Sequence, residues 1–248
     1  MKIQKKLSIA LAALLIATSL WAAPVKVVAS TSWAAAFADI AGADEVESIA
    51  PVNLRHPPEY EITVSDVQKI SESDVFIYAG FERMMKTLGT KVANQGVSVQ
   101  VVLDNSLATV NESTLKIAQA LGTEDIQKVR YAEYEKLVKD GQKKALKKKL
   151  NKKKVLCNKN QTYLAKELGL EIAGVFGPGP VSAEELLNAK KAGYDLIIDN
   201  IHNPTGKPVT EVLPKAKYIV WRNFPEAVEH DALKKVVKEN IELLLAEF

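Results

Sequence analysis

Between Thr123 and Lys153 the chain runs without a proline, and Val129, Ala132, Leu137, Leu146 and Leu150 form a partial apolar stripe at helical spacing. A continuous helix here spans on the order of 40 Å, about the length of a pair of small domains. Gly141 lies inside it and weakens the helix without forbidding it. Bending such a rod breaks backbone hydrogen bonds, so whatever it joins is expected to move little.

The segments on either side share one grammar. Before the rod, "VKVVA", "EVESIA", "DVFIYAG" and "VSVQVVLD" read as strands. Between them lie a helix closed by Gly42, a helix opened by the Thr63-x-x-Asp66 box, and a helix over 82–95. "TLKIAQALG" adds a short helix before the rod. After it, "KVLCN", "LEIAGVF", "DLIID" and "KYIVW" alternate with helical stretches, and an amphipathic helix from Glu226 to Ala246 closes the chain. Alternating strand and helix makes a parallel sheet covered by helices. The fold class is therefore α/β: two parallel-sheet lobes joined by one long helix, with a ligand cleft between them. The expected boundaries are a leader over 1–22, a first lobe over 23–122, the linking helix over 123–153 and a second lobe over 154–248.

The leader has its own logic. "MKIQKK" is basic, "LSIALAALLIATSL" is apolar, and small residues precede Pro24, the order of a signal peptide cleaved after Ala22. It carries three lysines and no acid, so the remaining chain has 33 − 3 = 30 basic against 30 acidic residues. A balanced charge gives no reason to expect a nucleic-acid partner. The single cysteine, Cys157, precludes an intrachain disulfide, and no cysteine ends the leader to accept lipid. A soluble, monomeric periplasmic protein that is not a lipoprotein is expected.

Four stretches, "VVAS" (27–30), "DIAG" (39–42), "EYEITVSDVQKISESDVFIYAG" (59–80) and "NQTYLAKELGLEIAGV" (160–175), carry a resemblance. With the two-lobe grammar they resemble the cluster A-I solute-binding proteins, the zinc and manganese receptors of ABC transporters. The similarity runs from about Val25 to the last helix. It implies a metal held between the lobes and delivery of that cargo to a permease in the inner membrane. It also implies where the ligands should sit. Family members usually read Asp-Pro-His-Glu-Tyr-Glu at the first, where this chain has Pro58 in "HPPEYE". The second histidine has no counterpart in "LDNSLATVNEST". The third falls on Asn158, the carboxylate on Asn200 with Asp199 beside it, and the late aspartate near Asn223. A proline and three neutral amides are poor replacements for imidazole and carboxylate.

Two arrangements of candidate residues follow. His56 and His202 each lie two positions from an implied ligand, and with Glu59 or Asp199 they would form a displaced metal site for zinc or manganese as transported ligand. Alternatively, Glu59, Asn158, Asn200, Arg222 and Asn223 would line a polar cleft for a small neutral or anionic solute. Each Asn also suits a turn or a helix cap. His230 is expected to be exposed in the last helix, and Cys157 to be a buried, inert thiol. Trp33, Trp221 and Tyr60 suit either the cleft or the core. Eight lysines between 143 and 154 read as the solvated end of the rod, where cations meet the negative pole of the helix. No Gly-x-Ser-x-Gly, His-Glu-x-x-His or Walker loop is present, so an enzyme is not expected. The function that the resemblance implies is that of the periplasmic solute-binding component of an ABC import system, metal-receptor-like (zinc or manganese class) with a degenerate metal site. Its alternatives are a module for a non-metal solute or oxyanion, or an exported protein with no transport role.

Overall fold

The computed structural model describes residues 25–88 and 96–248. The expected leader, and the second half of the helix expected over 82–95, lie outside the described residues. Each lobe is built on a four-stranded, all-parallel sheet. In the first lobe β1 (Val27–Ala29), β2 (Val46–Ser48), β3 (Val75–Tyr78) and β4 (Val97–Gln100) take the order β2-β1-β3-β4. The second repeats this topology as β6-β5-β7-β8, from β5 (Lys154–Asn158), β6 (Glu171–Phe176), β7 (Leu196–Asn200) and β8 (Lys217–Trp221).

The helices in chain order are α1 (Ser32–Ala41), α2 (Val64–Ser71), α3 (Arg83–Leu88), α4 (Leu107–Leu121), α5 (Glu124–Lys147), α6 (Thr162–Glu167), α7 (Ala183–Ala192), α8 (Val209–Val212) and α9 (Ala232–Ala246). The rod is α5, with 24 residues. It is shorter than expected because Lys149 adopts a left-handed backbone (φ 59°) and turns the chain into a short 3-10 segment, Leu150–Lys152.

The period-two alternation of side chains sorts each strand between two layers. Val27, Ala29, Val75 and Ile77 of the first lobe face the same core as Val155, Cys157, Leu196, Ile198 and Trp221 of the second. That core is continuous between lobes because Tyr134, Val138 and Ala145 of α5 lie within it. The intervening residues Val28 and Phe76 face a smaller outer core with Ile70 and Met84. Leu156 and Ile197 do the same with Phe176 and Val209. Gly141, the residue that weakened the helix reading, has a packing reason. A Cβ there would sit 2.7 Å from the side chain of Ile241, so glycine allows α5 and α9 to approach closely.

Two helix starts differ from expectation, and both are set by carboxylates. Asp104 accepts from the Ser106 amide and hydroxyl and from the Thr109 hydroxyl, which starts α4 at Leu107 instead of Thr114. Asp39 on α1 accepts from the Asp231 amide at 2.9 Å, and Asp231 sits in the left-handed region (φ 64°). The last helix therefore begins at Ala232, not Glu226. The same carboxylate meets Arg130 of α5 at 3.2 Å and His230 Nδ1 at 2.7 Å. First lobe, rod and final helix are thus locked at one point.

Candidate functional site

Loops at the carboxyl ends of both sheets enclose a cleft of about 400 Å³ between the lobes. This is where open parallel sheets hold ligands. The first lobe contributes Trp33 after β1, the His56–Glu59 turn after β2, and Phe81 after β3. From the second come Asn200 and His202 after β7, and Asn223 and Phe224 after β8. Hydrogen bonds across the cleft hold its walls in register. Arg55 Nε donates to the His202 carbonyl (3.3 Å), Asn105 Nδ2 to the Asn223 carbonyl (3.0 Å) and Ser32 Oγ to the Pro225 carbonyl (2.7 Å).

The "HPPEYEITVSD" loop is built as a clip. Pro57–Glu59 form a 3-10 turn. Beyond it, Asp66 Oδ2 accepts from the Thr63 amide and hydroxyl, both at 2.8 Å, and from Tyr60 OH at 2.9 Å. Burial alone would raise the Asp66 pKa, but the bonds from Thr63 and Tyr60 outweigh it and hold the carboxyl below its ordinary value. That hydrogen bond to Asp66, with burial, raises the Tyr60 phenol. The motif that carried the resemblance thus serves to fix the loop on α2, and Tyr60 packs beside the outer core of the first lobe.

The candidate residues separate into two groups. Glu59, Asn200, Asn223, His56 and His202 line the cleft, with Glu59 and His56 exposed and the other three buried. Asn158, Arg222 and Asp199 do not line it. Asn158 falls on the outer side of β5, in phase with Leu156; its Oδ1 accepts from the Asn160 amide and its Nδ2 donates to Asp199. Arg222 pairs with Glu226, while its backbone is bound on both sides by Asn240.

Asp199 is the largest departure from the expected metal site. It follows Ile197 in phase, so its carboxylate enters the outer layer of the second lobe and is fully buried. Four donors saturate it. Oδ1 accepts from the Asn200 amide (2.8 Å) and Asn158 Nδ2 (3.3 Å); Oδ2 accepts from the Gly206 amide (2.7 Å) and Tyr218 OH (2.9 Å). Gly206 is required there, since a Cβ would lie 2.6 Å from the Phe176 ring and 3.0 Å from Asp199 Oδ2. Burial first, and then Asp199, push the Tyr218 phenol up. Burial and Asp199 together push the Cys157 thiol up to about 12, which makes it an inert core residue.

His56, His202 and Asp199 are consequently not gathered into one coordination group. Among the described residues, the one set of three potential ligand atoms within 4.8 Å of each other is Asp39, His230 and Asp231. Arg130 already neutralises that carboxylate. His230 is exposed as expected, but it precedes the last helix instead of lying in it.

His202 is the most perturbed group in the cleft. Its ring stacks on Phe224 with centroids 3.6 Å apart, and only 5% of the residue is exposed. Burial lowers its pKa to about 4, and the positive charge of Arg222 adds to the effect. The ring is neutral at pH 7, and its Nε2 has no hydrogen-bond partner. Two further buried polar atoms of cleft residues lack partners: Asn223 Oδ1 and Trp33 Nε1. Trp33 and Phe224, the aromatic wall, were the least legible part of the site. Trp33 follows "STS" at a strand end, a position equally suited to the core, and Trp221 does take the core alternative.

The cleft and sheet order define a two-lobe α/β fold with a helical spine. No protein-family model matches the chain, and no curated protein matches it. Solved structures do. FpvC from P. aeruginosa, determined in complex with Ni2+, is 15% identical over 90% of this chain and 96% of its own, with a TM-score of 0.70. The laminin-binding protein Lmb of Streptococcus agalactiae, described as bifunctional with adhesin and metal transporting activity, is 20% identical over 90% and 98%, at 0.69. A Zn(II)-bound variant of AdcAII from Streptococcus pneumoniae is 17% identical over 90% and 98%, at 0.66. This chain has the fold of these neighbours.

The positions at which the resemblance places metal ligands carry a proline and three amides. Pro58 has no donor, Asn158 is engaged by Asn160 and Asp199, and Asn200 Oδ1 accepts from the His202 amide at 3.2 Å. Only the Asn223 amide oxygen is open.

Proposed function

We propose that the protein is the periplasmic solute-binding component of an ABC import system, partnered with a permease in the inner membrane, and that its cargo is a small organic solute. The observation that carries this reading is the state of Asp199. The carboxylate nearest the implied metal position is turned away from the cleft and saturated by four donors. A cleft of about 400 Å³ also falls within the range of small-molecule sites. Its charged residues are Arg55 and Glu59, of opposite sign and both exposed, with exposed His56 between them. An exported, monomeric chain freed of residues 1–22 remains part of this proposal. No helix among the described residues is long and apolar enough to cross a membrane.

A second reading keeps zinc or manganese as the cargo, supported by the presence of His56, His202 and Glu59 on one cleft. Calorimetry separates the two. Zinc and manganese titrated into the parent at pH 7.5 are expected to give no saturable heat. A one-to-one isotherm lost in both His56→Ala and His202→Ala would restore the metal reading.

A further inference from the structure

We infer that the cleft is built for a neutral, planar solute carrying at least one hydrogen-bond acceptor and one donor, in the class of nitrogen heterocycles and aromatic amides. This rests on the organic-solute reading above and narrows it. Three features on the cleft wall combine.

The first is a run of aromatic faces crossing from one lobe to the other. Trp33 lies 5.7 Å from Phe224 at 31°, and Phe224 stacks on His202 at 3.6 Å and 14°. Flat π surfaces of this kind favour a flat partner, in offset or tilted contact.

The second feature is unmet hydrogen bonding. Asn223 and His202 are each only 5% exposed, and each has a polar atom hidden from solvent without a partner. Trp33 Nε1 is in the same condition. The indole N–H only donates and the Asn223 oxygen only accepts. The neutral imidazole supplies a donor or an acceptor according to its tautomer. A buried polar group without a partner is costly, so a solute that reaches these atoms and supplies complementary groups is favoured over an apolar one. A wall that holds both a donor and an acceptor selects a molecule with both.

The third is charge. No buried ionic side chain lines the cleft, and His202 is uncharged at neutral pH. The charged side chains of the cleft, Arg55 and Glu59, are exposed and of opposite sign, so a charged solute would meet one attractive and one repulsive partner, both screened by water. A neutral solute needs neither.

The test uses the mature chain, from which Trp21 is absent, so fluorescence comes from Trp33 and the core residue Trp221. Adenine, uracil and nicotinamide are the neutral probes. Benzoate and lysine are charged controls, and zinc is added separately. At least one neutral probe is expected to change the Trp fluorescence saturably in the parent. By calorimetry, Asn223→Ala and Trp33→Phe should each weaken that probe about tenfold, the weight of one hydrogen bond in a dry pocket, with unchanged circular dichroism. Trp33→Phe keeps an aromatic face but removes the indole donor together with the five-membered ring that carries it. The inference is overturned if none of the three probes binds, or if both variants bind like the parent. Binding of benzoate or lysine alone would overturn it while leaving the organic-solute reading intact. Stoichiometric zinc binding would overturn that reading itself.

Discussion

Lowering the pH from 6.5 towards 4 is expected to cost the parent about 3 kcal/mol more stability than it costs His202→Phe. The cause is the buried imidazole, whose folded pKa of about 4 lies below its ordinary value of 6.5. Between those values the unfolded chain takes up a proton that the folded chain refuses, so stability falls with pH; below the folded value the loss is complete. Each unit is worth about 1.4 kcal/mol, which gives the stated magnitude. Phenylalanine retains the flat contact with Phe224 and cannot titrate. Comparing the two proteins also removes the common acid response of groups such as Asp66. Urea midpoints measured at pH 7, 5.5 and 4.5 check this. Parallel pH profiles for parent and variant would mean that His202 is hydrated or paired in solution.

Asp199→Ala is expected to destabilise the protein by about 4 kcal/mol. The substitution strands the Gly206 and Asn200 amides, Tyr218 OH and Asn158 Nδ2 in the outer layer of the second lobe. Each stranded group costs about 1–3 kcal/mol, offset in part by release of a buried charge. Tyr218→Phe removes one of the four donors and should cost about 1 kcal/mol. The measurement is the urea midpoint, with Asp199→Asn as the conservative comparison. An unchanged midpoint in Asp199→Ala, together with loss of zinc binding, would return Asp199 to the role of a metal ligand.

The strands were legible because buried parallel strands write themselves as short β-branched runs; "DVFIYAG" and "DLIID" needed no tertiary knowledge. Helix starts were less legible where a distant side chain sets them. Nothing near Glu226 announces that Asp39, on the first helix, will catch the Asp231 amide. The same limit governed the site. His202 and Asn223 could be placed on the cleft from their position after a strand. Residue spacing alone does not show which layer the Asp199 carboxylate enters. The deciding partners, Gly206 and Tyr218, arrive from the next loop and the next strand. Its phase with Ile197 was the one available signal. The same phase relation separates Asn158 from Asn200: Asn158 follows Leu156 into the outer layer, while Asn200 ends its strand at the cleft.

The metal reading and the organic-solute reading predict different cargoes, and one experiment compares them directly. Protein isolated from its native host without chelators can be examined by native mass spectrometry, with elemental analysis of the same sample. The expected result is an organic species of low mass released from the folded monomer, with no stoichiometric zinc, manganese or nickel. One equivalent of any of these metals, retained by the parent and lost in His56→Ala and His202→Ala, would contradict it.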